Sequence, residues 1–122
     1  MIKKTILVIE YDDLVRETLE FLLQDMGYSV ELVCTGEQGI QAVRRNSGFQ
    51  CVITNFKRPG LDGLETISRI KQVRNNLPVI LMSSYYWLEG EAKSIGADSF
   101  LEKPFTNFQL RSSLNQARIS LC

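Results

Sequence analysis

The sequence predicts an α/β fold in which a five-stranded parallel sheet carries helices on both faces. Short continuous apolar runs, of which Thr5–Ile9 is the first, alternate with segments whose apolar residues recur at helical spacing. Strands that are apolar without alternation are typical of parallel sheets, because both of their faces are buried. Five strand–helix units in succession predict right-handed crossovers and a doubly wound (βα)5 arrangement.

Each element is supported by its own pattern. The first helix has leucines at helical spacing after Asp12 or Asp13 as a cap, and Gly27 ends it. Gly96 ends the fourth helix in the same way. The predicted strands are residues 5–9, 29–34, 51–54, 78–82 and 99–101, and the predicted helices are residues 14–26, 36–45, 64–73, 88–95 and 105–119.

The inward faces of the helices follow from the same spacing. The predicted core positions are Leu14, Val15, Leu19, Leu22, Leu23, Met26, Ile40, Val43, Leu64, Ile67, Ile70, Phe108, Leu110, Leu114 and Ala117. Lys71 is in register with this face of the third helix. Pro59-Gly60 and Asp62-Gly63 mark the loop before that helix.

Length and composition exclude several classes of protein. A chain of 122 residues accommodates one domain, 1–122. Its 14 basic and 14 acidic residues balance, which argues against nucleic acid or an anionic membrane as a direct partner. No apolar run approaches the length of a membrane span. The N-terminal segment has too few apolar residues to be a signal peptide. We therefore expect a cytoplasmic protein.

Histidine is absent, and this removes histidine-based catalysis and histidine-ligated metal sites. Three scattered cysteines, Cys34, Cys51 and Cys122, form neither a disulfide framework nor a zinc motif. Cys34 and Cys51 lie in apolar stretches, so we expect both to be inert core residues. We expect no enzymatic activity.

In a doubly wound sheet the functional crevice lies beyond the carboxyl ends of the strands. The residues that directly follow the apolar runs are therefore the candidates for a site. They are Glu10, Tyr11, Asn55, Ser83 and Lys103.

These residues belong to a wider pattern of five short motifs. They are Glu10–Asp13 after the first strand, Asn55 with residues 58–63 after the third, residues 82–84 after the fourth, residues 96–98 with Phe100, and residues 103–105. In this order the motifs resemble the receiver domains of two-component response regulators, which have the CheY-like, flavodoxin-like fold. The resemblance covers essentially the whole chain.

The resemblance implies a role for each position. Glu10 and Tyr11 occupy the positions of the acidic pair that binds Mg²⁺, and Asn55 occupies that of the aspartate that takes a phosphoryl group from a histidine kinase. Ser83 matches the switch hydroxyl, and a strand-end cap is the alternative. Phe100 matches the switch aromatic, with plain packing as the alternative. Lys103 matches the pocket lysine, and the bond before Pro104 is one that the family often has in the cis form.

The sequence departs from the family at two of its three acids. The carboxamide of Asn55 is a poor nucleophile for phosphorus, and Tyr11 is uncharged at neutral pH. If Asp12 and Asp13 were the acidic pair instead, Leu14 and Val15 would shift by two residues and the apolar face of the first helix would turn towards solvent. One carboxylate and one lysine give the pocket no net charge, so we expect a Glu10–Lys103 ion pair and weak or absent Mg²⁺ binding. Lys57 and Arg58 add positive charge at the rim.

The sequence thus favours a pseudo-receiver that is not phosphorylated at Asn55 and acts by protein–protein interaction. Its expected partner is a signalling protein or a histidine kinase, and a homodimer through helix 4, strand 5 and helix 5 is a further expectation. The consecutive aromatics Tyr85, Tyr86 and Trp87 are the candidate partner face. We expect no DNA-binding output within this chain, because the last helix carries only Arg111 and Arg118 as basic residues and no helix-turn-helix follows it.

Two alternatives remain. The first is a conventional response regulator that is phosphorylated on another acid, with Asp12, Asp13 and Asp62 as candidates. The second is a flavodoxin-like nucleotide or flavin binder. The acidic loop after the first strand argues against the second, because phosphate binding there needs a glycine- or hydroxyl-rich loop.

Overall fold

The fold is built on one parallel sheet with the strand order β2-β1-β3-β4-β5. The computed structural model describes residues 4–56 and 60–117. The strands are β1 (Thr5–Ile9), β2 (Ser29–Val33), β3 (Phe49–Asn55), β4 (Val79–Ser83) and β5 (Ser99–Glu102). The helices are α1 (Asp13–Asp25), α2 (Gly36–Arg45), α3 (Gly63–Val73), α4 (Glu89–Ser94) and α5 (Asn107–Gln116), and a 3₁₀ turn (Tyr86–Leu88) precedes α4. The predicted fold class is confirmed.

The strand order places the site. The chain passes from β1 to β2 on one side and then returns to β3 on the other, so the order reverses between β1 and β3. Ile9 pairs with Thr54 in this ladder. The next residue of each strand, Glu10 and Asn55, therefore emerges side by side at the carboxyl edge of the sheet.

The sheet divides the core into two layers. Alternate residues of the buried strands pack against α1 and α5 on one face and against α2, α3 and α4 on the other. The first layer contains Ile6, Val8, Leu19, Leu23, Ile53, Ile80, Met82, Leu101, Leu110 and Leu114. The second contains Leu7, Ile9, Ile40, Val43, Val52, Ile67, Ile70, Val79, Leu81 and Ala92.

Side-chain caps fix where the helices begin. Asp12 accepts a hydrogen bond from the Val15 amide at 3.0 Å, and Asp62 accepts one from the Glu65 amide at 2.8 Å. Thr106 forms a capping box with Gln109, so α5 begins at Asn107, two residues later than predicted.

Three predictions about the core are wrong. Phe108 is 77% exposed, because it lies nearly opposite Leu110 on the helical wheel and so points away from the sheet. Leu14 is exposed in the first turn of α1, on the side away from Leu19 and Leu23. Cys34 is half-buried, since it follows the edge strand β2, whereas Cys51 in β3 is fully buried.

Some predictions concern residues outside the described ranges. Lys57, Arg58, Arg118, Cys122 and the predicted end of the last helix are among them. Within residues 4–56 and 60–117, the helices are all too short or too polar to cross a membrane.

Candidate functional site

Glu10 is the centre of the site. It directly follows β1, and only 1% of its surface is exposed. Its Oε1 accepts a hydrogen bond from Lys103 Nζ at 3.2 Å, and its Oε2 accepts one from Asn55 Nδ2 at 3.1 Å. The amide of Asp12 donates a third at 3.0 Å, also to Oε2. The buried carboxylate is therefore compensated by a cation and two neutral donors.

Asn55 is the last residue of β3, and it is buried. A tight return of the chain at Gly63 closes the space beneath it: the Gly63 amide donates to the Phe56 carbonyl at 2.8 Å. A Cβ at Gly63 would lie 2.6 Å from the Asn55 carbonyl oxygen. Glycine at this position lets α3 begin directly against the end of β3.

Lys103 reaches the site from the segment after β5. Its backbone amide donates to the Ser83 carbonyl at 2.9 Å, which ties this segment to the end of β4. The peptide bond to Pro104 is cis. The Lys103 side chain is 24% exposed, so the expected ion pair with Glu10 is present and lies at the mouth of the site rather than in its interior.

Tyr11 is not brought into this cluster. Its side chain points to solvent and the residue is 56% exposed. Arg16 ties down the backbone of this turn, since it donates to the carbonyls of both Glu10 and Tyr11, at 2.9 and 3.1 Å. Arg16 also pairs with Asp13, and this hydrogen bond raises the pKa of its guanidinium. The β1–α1 turn is thus fixed by a residue that sequence reasoning missed.

Ser83 is buried at the end of β4, where its Oγ accepts a hydrogen bond from the Tyr85 amide at 2.9 Å. This is the geometry of a strand-end cap. Phe100, in the middle of β5, is half-buried and packs against the core layer beneath α4.

The three consecutive aromatics form a cluster beside the site. The Tyr85 ring meets the edge of Phe56 at 6.0 Å between centroids and stacks on Trp87 at 5.0 Å. Tyr86 contacts Trp87 edge-on at 5.4 Å. Tyr85 is half-buried, whereas Tyr86 and Trp87 are both about two-thirds exposed (66% and 65%).

The charges at the site cancel. Glu10 supplies one negative charge and Lys103 one positive charge, and Asn55 and Ser83 are neutral. Across residues 4–56 and 60–117, nowhere do three cysteine, aspartate or glutamate side chains gather as a metal site would require. The arrangement is chemically a satisfied ion pair with an amide donor.

The chain is similar in sequence to known signalling proteins. Residues 6–115 match the family described as the response regulator receiver domain. The transcriptional regulatory protein FixJ of Bradyrhizobium diazoefficiens is 35% identical over 117 residues, which cover 94% of this chain and 57% of FixJ. The transcriptional regulatory protein ZraR of Escherichia coli is 32% identical over 114 residues, which cover 92% of this chain and 26% of ZraR.

Solved structures of response regulator receiver domains have the same fold as this chain. A response regulator receiver domain protein from Clostridium thermocellum superposes with a TM-score of 0.87 at 27% identity, covering 93% of each chain. The response regulator TrrA of Thermotoga maritima, solved in complex with Mg²⁺ and BeF, gives a TM-score of 0.86 at 26% identity, covering 93% of this chain and 98% of TrrA. The chain thus spans only part of the curated relatives and nearly all of the solved receiver structures.

Proposed function

We propose that this chain, which belongs to the response regulator receiver domain family, is an atypical receiver. It is not phosphorylated at Asn55 and signals through protein contacts. Receiver domains are signalling modules of two-component systems that ordinarily accept a phosphoryl group. The observation that carries the proposal is the hydrogen bonding of Glu10. Both of its carboxylate oxygens are already engaged by N–H donors, one of which is the Asn55 amide.

The same contacts argue against a resident Mg²⁺. This ion prefers near-octahedral oxygen ligands and usually takes one or two carboxylates from the protein. In the described part of the site the carboxylate is that of Glu10, and the Lys103 ammonium already holds it. Asn55 directs its Nδ2 towards Glu10, and Tyr11 lies outside the cluster. The residues present do not fit the metal, so no step through Mg²⁺ is assigned to this chain.

Phosphoryl transfer to Asn55 is disfavoured by its chemistry. A carboxylate nucleophile can form an acyl phosphate, but a carboxamide is neutral and its nitrogen is conjugated with the carbonyl. The Lys103 ammonium is already paired with Glu10, so it offers little compensation for the charge on an incoming phosphoryl group.

Nearby acids are poor substitutes for the missing aspartate. Asp12 caps α1, Asp62 caps α3, and Asp13 pairs with Arg16. Each carboxylate therefore has a local structural role at the start of a helix, and none lies at the position next to Glu10 that Asn55 occupies. Phosphorylation on another acid remains the weaker alternative.

Signalling without a phosphoryl group must draw on the differential affinity of another ligand for two states of the protein, or on one fixed state. We infer that the ligand is a signalling protein, with a histidine kinase or a downstream effector as the candidate. The exposed rings of Tyr86 and Trp87 beside α4 support a partner face at this end of the molecule. A homodimer through α4, β5 and α5 is the other arrangement that this face offers.

A paired rescue tests the proposal. Asn55→Asp and Tyr11→Asp together restore three carboxylates, so incubation with acetyl phosphate and Mg²⁺ is expected to add one phosphate by intact mass. Either single variant is expected to label weakly and the parent protein not at all.

The matched control introduces aspartate at two exposed asparagines, Asn46 and Asn76. This variant is expected to behave like the parent, since it adds the same charge away from the site. Labelling of the parent protein would overturn the proposal, and so would failure of the folded double variant to label any better than this control.

A further inference from the structure

The outer edge of β2 carries main-chain groups that the sheet does not use. Strand β2 lies at one end of the sheet and pairs only with β1. The Ser29 amide donates to the Lys4 carbonyl at 2.8 Å, and the Val33 carbonyl accepts from the Glu10 amide at 3.1 Å. Because successive residues of a strand direct their main-chain groups to opposite sides, the even-numbered residues of β2 direct theirs away from β1.

Val30 and Leu32 form this open stretch of the edge. Within residues 4–56 and 60–117, their main-chain N–H and C=O groups have no hydrogen-bond partner. The stretch is bounded on both sides, since the Tyr28 amide donates to a carbonyl of α1 at 3.1 Å and the Cys34 amide donates to Gln38 Oε1 at 2.9 Å. An added strand would therefore make four main-chain hydrogen bonds here, two at each open residue.

The side chains along this edge differ between the two faces of the sheet. Val30 and Leu32 are half-buried and pack on the core layer beneath α1. Glu31 lies between them, so its side chain points to the opposite face, where it is exposed. Across residues 4–56 and 60–117, no lysine or arginine pairs with Glu31. An added strand therefore needs apolar residues opposite Val30 and Leu32 and a cation opposite Glu31.

A groove beside the edge takes the next side chain of such a strand. It has a volume of about 570 Å³ and lies between the end of β2 and α2, with Val33 and Gln41 in its lining. Its two charged residues, Glu37 and Arg45, are opposite in sign, so the groove selects no charge. Alternate residues of a strand share a face, so the residue opposite Val33 would enter this groove, and a small polar side chain suits it.

A second copy of this chain is a poor occupant of the edge. A two-fold antiparallel pairing that uses the open residues of both copies sets Val30 opposite Leu32, and it therefore sets Glu31 opposite its own copy. Like charges directly opposite each other on neighbouring strands are unfavourable, and a charge on an edge strand is a common guard against self-pairing. The edge therefore favours a strand of different sequence.

We propose that the outer edge of β2 pairs with an extended segment of a partner protein, which adds a sixth, antiparallel strand to the sheet. The segment carries a lysine or arginine opposite Glu31 and an apolar residue on either side of it. The direction follows from the slightly greater stability of antiparallel pairing. This inference goes beyond the proposed function, because it concerns the end of the sheet opposite to β5 and does not depend on the chemistry of Asn55.

Hydrogen exchange in the free ¹⁵N-labelled protein tests the open edge first. The amides of Val30 and Leu32 are expected to exchange with solvent nearly as fast as in an unstructured peptide. The amides of Glu31 and Val33, which face β1, are the control within the same strand and should exchange at least about tenfold more slowly. Protection of Val30 and Leu32 in the free monomer would overturn the proposal, because the edge would then be covered already.

A capped peptide, acetyl-Gly-Thr-Val-Lys-Val-Thr-Gly-amide, tests the pairing in an NMR titration at millimolar concentration. Binding should shift the amides of Val30 and Leu32 and slow their exchange. N-methylation of both valines of the peptide removes the two donors that would face β2, so it should weaken binding about tenfold. N-methylation of the lysine and the second threonine is the matched control. It adds the same two methyl groups on the outward side of the strand and should have little effect.

The lysine of the peptide tests the role of Glu31. Its replacement by glutamate is expected to weaken binding about three- to fivefold, because like charges would then lie opposite each other. The Glu31→Lys variant should reverse this preference and bind the glutamate peptide more tightly. Glu17→Lys, at an exposed position of α1, makes the same change of charge elsewhere and should retain the preference for lysine.

Several results would contradict strand addition at β2. They are the absence of shifts at Val30 and Leu32, a loss of binding that is equal for the two N-methylated peptides or greater for the control, and a preference for lysine that Glu31→Lys leaves unchanged. A concentration-dependent dimer that protects the amides of Val30 and Leu32 would also contradict it, since a second copy would then be the occupant. The acetyl phosphate test of Asn55 is independent of all these outcomes.

Discussion

Two lysine–carboxylate pairs lie at opposite ends of the sheet, and they differ in what surrounds them. At the amino end, Lys71 Nζ contacts Asp98 Oδ2 at 2.9 Å and also donates to the carbonyls of Leu77 and Asn75, at 2.8 and 3.3 Å. Asp98 accepts a further hydrogen bond from the Val79 amide at 2.8 Å. This pair joins α3 to the starts of β4 and β5, and both of its partners have additional backbone ligands.

At the carboxyl edge of the sheet, the two partners of the ion pair differ in burial and in hydrogen bonding. Glu10 is almost fully buried and accepts three hydrogen bonds, whereas Lys103 is partly open to solvent, with Glu10 as the acceptor of its ammonium within the described residues. The first pair is anchored by backbone on both sides. In the second, the carboxylate is fixed and the lysine has water within reach. The amino-end pair is suited to holding the fold together, and the carboxyl-edge pair is suited to filling a pocket.

The largest effect is expected from breaking the structural pair. Asp98→Ala leaves the buried Val79 amide without its acceptor and Lys71 without its counterion. We expect a loss of about 2–3 kcal/mol in the free energy of unfolding, measured by urea denaturation. Glu65→Ala, which breaks the exposed Arg69–Glu65 pair, is the control and should cost much less. A similar loss in both variants would remove the distinction between anchored and exposed pairs.

A smaller loss is expected at the site. Glu10→Gln keeps one acceptor oxygen but turns an –NH₂ group towards either Lys103 or Asn55, which are both donors. We expect a loss of about 1–2 kcal/mol, because Lys103 can turn to water. Glu31→Gln, at an exposed position of β2, is the control. A Glu10 variant that is as stable as the parent would mean that the pocket is not held by this carboxylate.

The loss of stability in the Asn55→Asp variant should depend on pH. Asn55→Asp places a second carboxylate about 3 Å from Glu10, at the 3.1 Å separation that the amide now bridges. We expect a loss of about 1 kcal/mol at neutral pH, since one carboxylate compensates the Lys103 charge and the other does not. Repulsion favours the protonated form in the folded state, so the stability lost at neutral pH should return as the pH falls through the carboxyl range.

Thermal unfolding of this variant between about pH 3.5 and 7 measures the effect, with the Asn46→Asp variant as the control for a charge at the surface. Addition of Mg²⁺ should stabilise Asn55→Asp and leave Asn46→Asp unchanged. A loss that is the same at every pH would point to packing instead of charge.

The sequence predicts the fold more completely than it predicts the site. The bounds of β1 and α2 agree with the prediction, since four consecutive apolar residues follow Thr5 in β1 and a capping box at Thr35 fixes the start of α2. The prediction for Phe108 is wrong because this residue lies about 200° around the helix axis from Leu110, outside the apolar stripe that faces the sheet. The ends of the strands bring Glu10, Asn55 and Lys103 together, so their meeting follows from topology.

The hydrogen bonds could not be predicted in the same way. The contact between Asn55 and Glu10 depends on side-chain orientation and on the close approach of Gly63, and Arg16 acts through backbone carbonyls. In the sequence, the Asp62-Gly63 dipeptide predicts a loop and is the sign of that close approach.

The smallest expected effect is a difference in the reactivity of two cysteines towards a thiol reagent. Burial raises the pKa of the Cys51 thiol, so this residue should resist a thiol reagent such as DTNB at mildly alkaline pH until the protein unfolds. Half-buried Cys34 should react in the folded state. Peptide mapping after a short exposure, in a Cys122→Ser background, distinguishes them. Rapid labelling of Cys51 in the native protein would contradict the placement of β3 in the core.

The most direct test of the central claim is isothermal titration of the parent protein with Mg²⁺, alone and with beryllofluoride. The engaged carboxylate of Glu10 and the amide of Asn55 predict no saturable binding at millimolar Mg²⁺, while the Asn55→Asp, Tyr11→Asp variant binds both. A single-site isotherm for the parent protein, abolished by Glu10→Gln, would contradict the account.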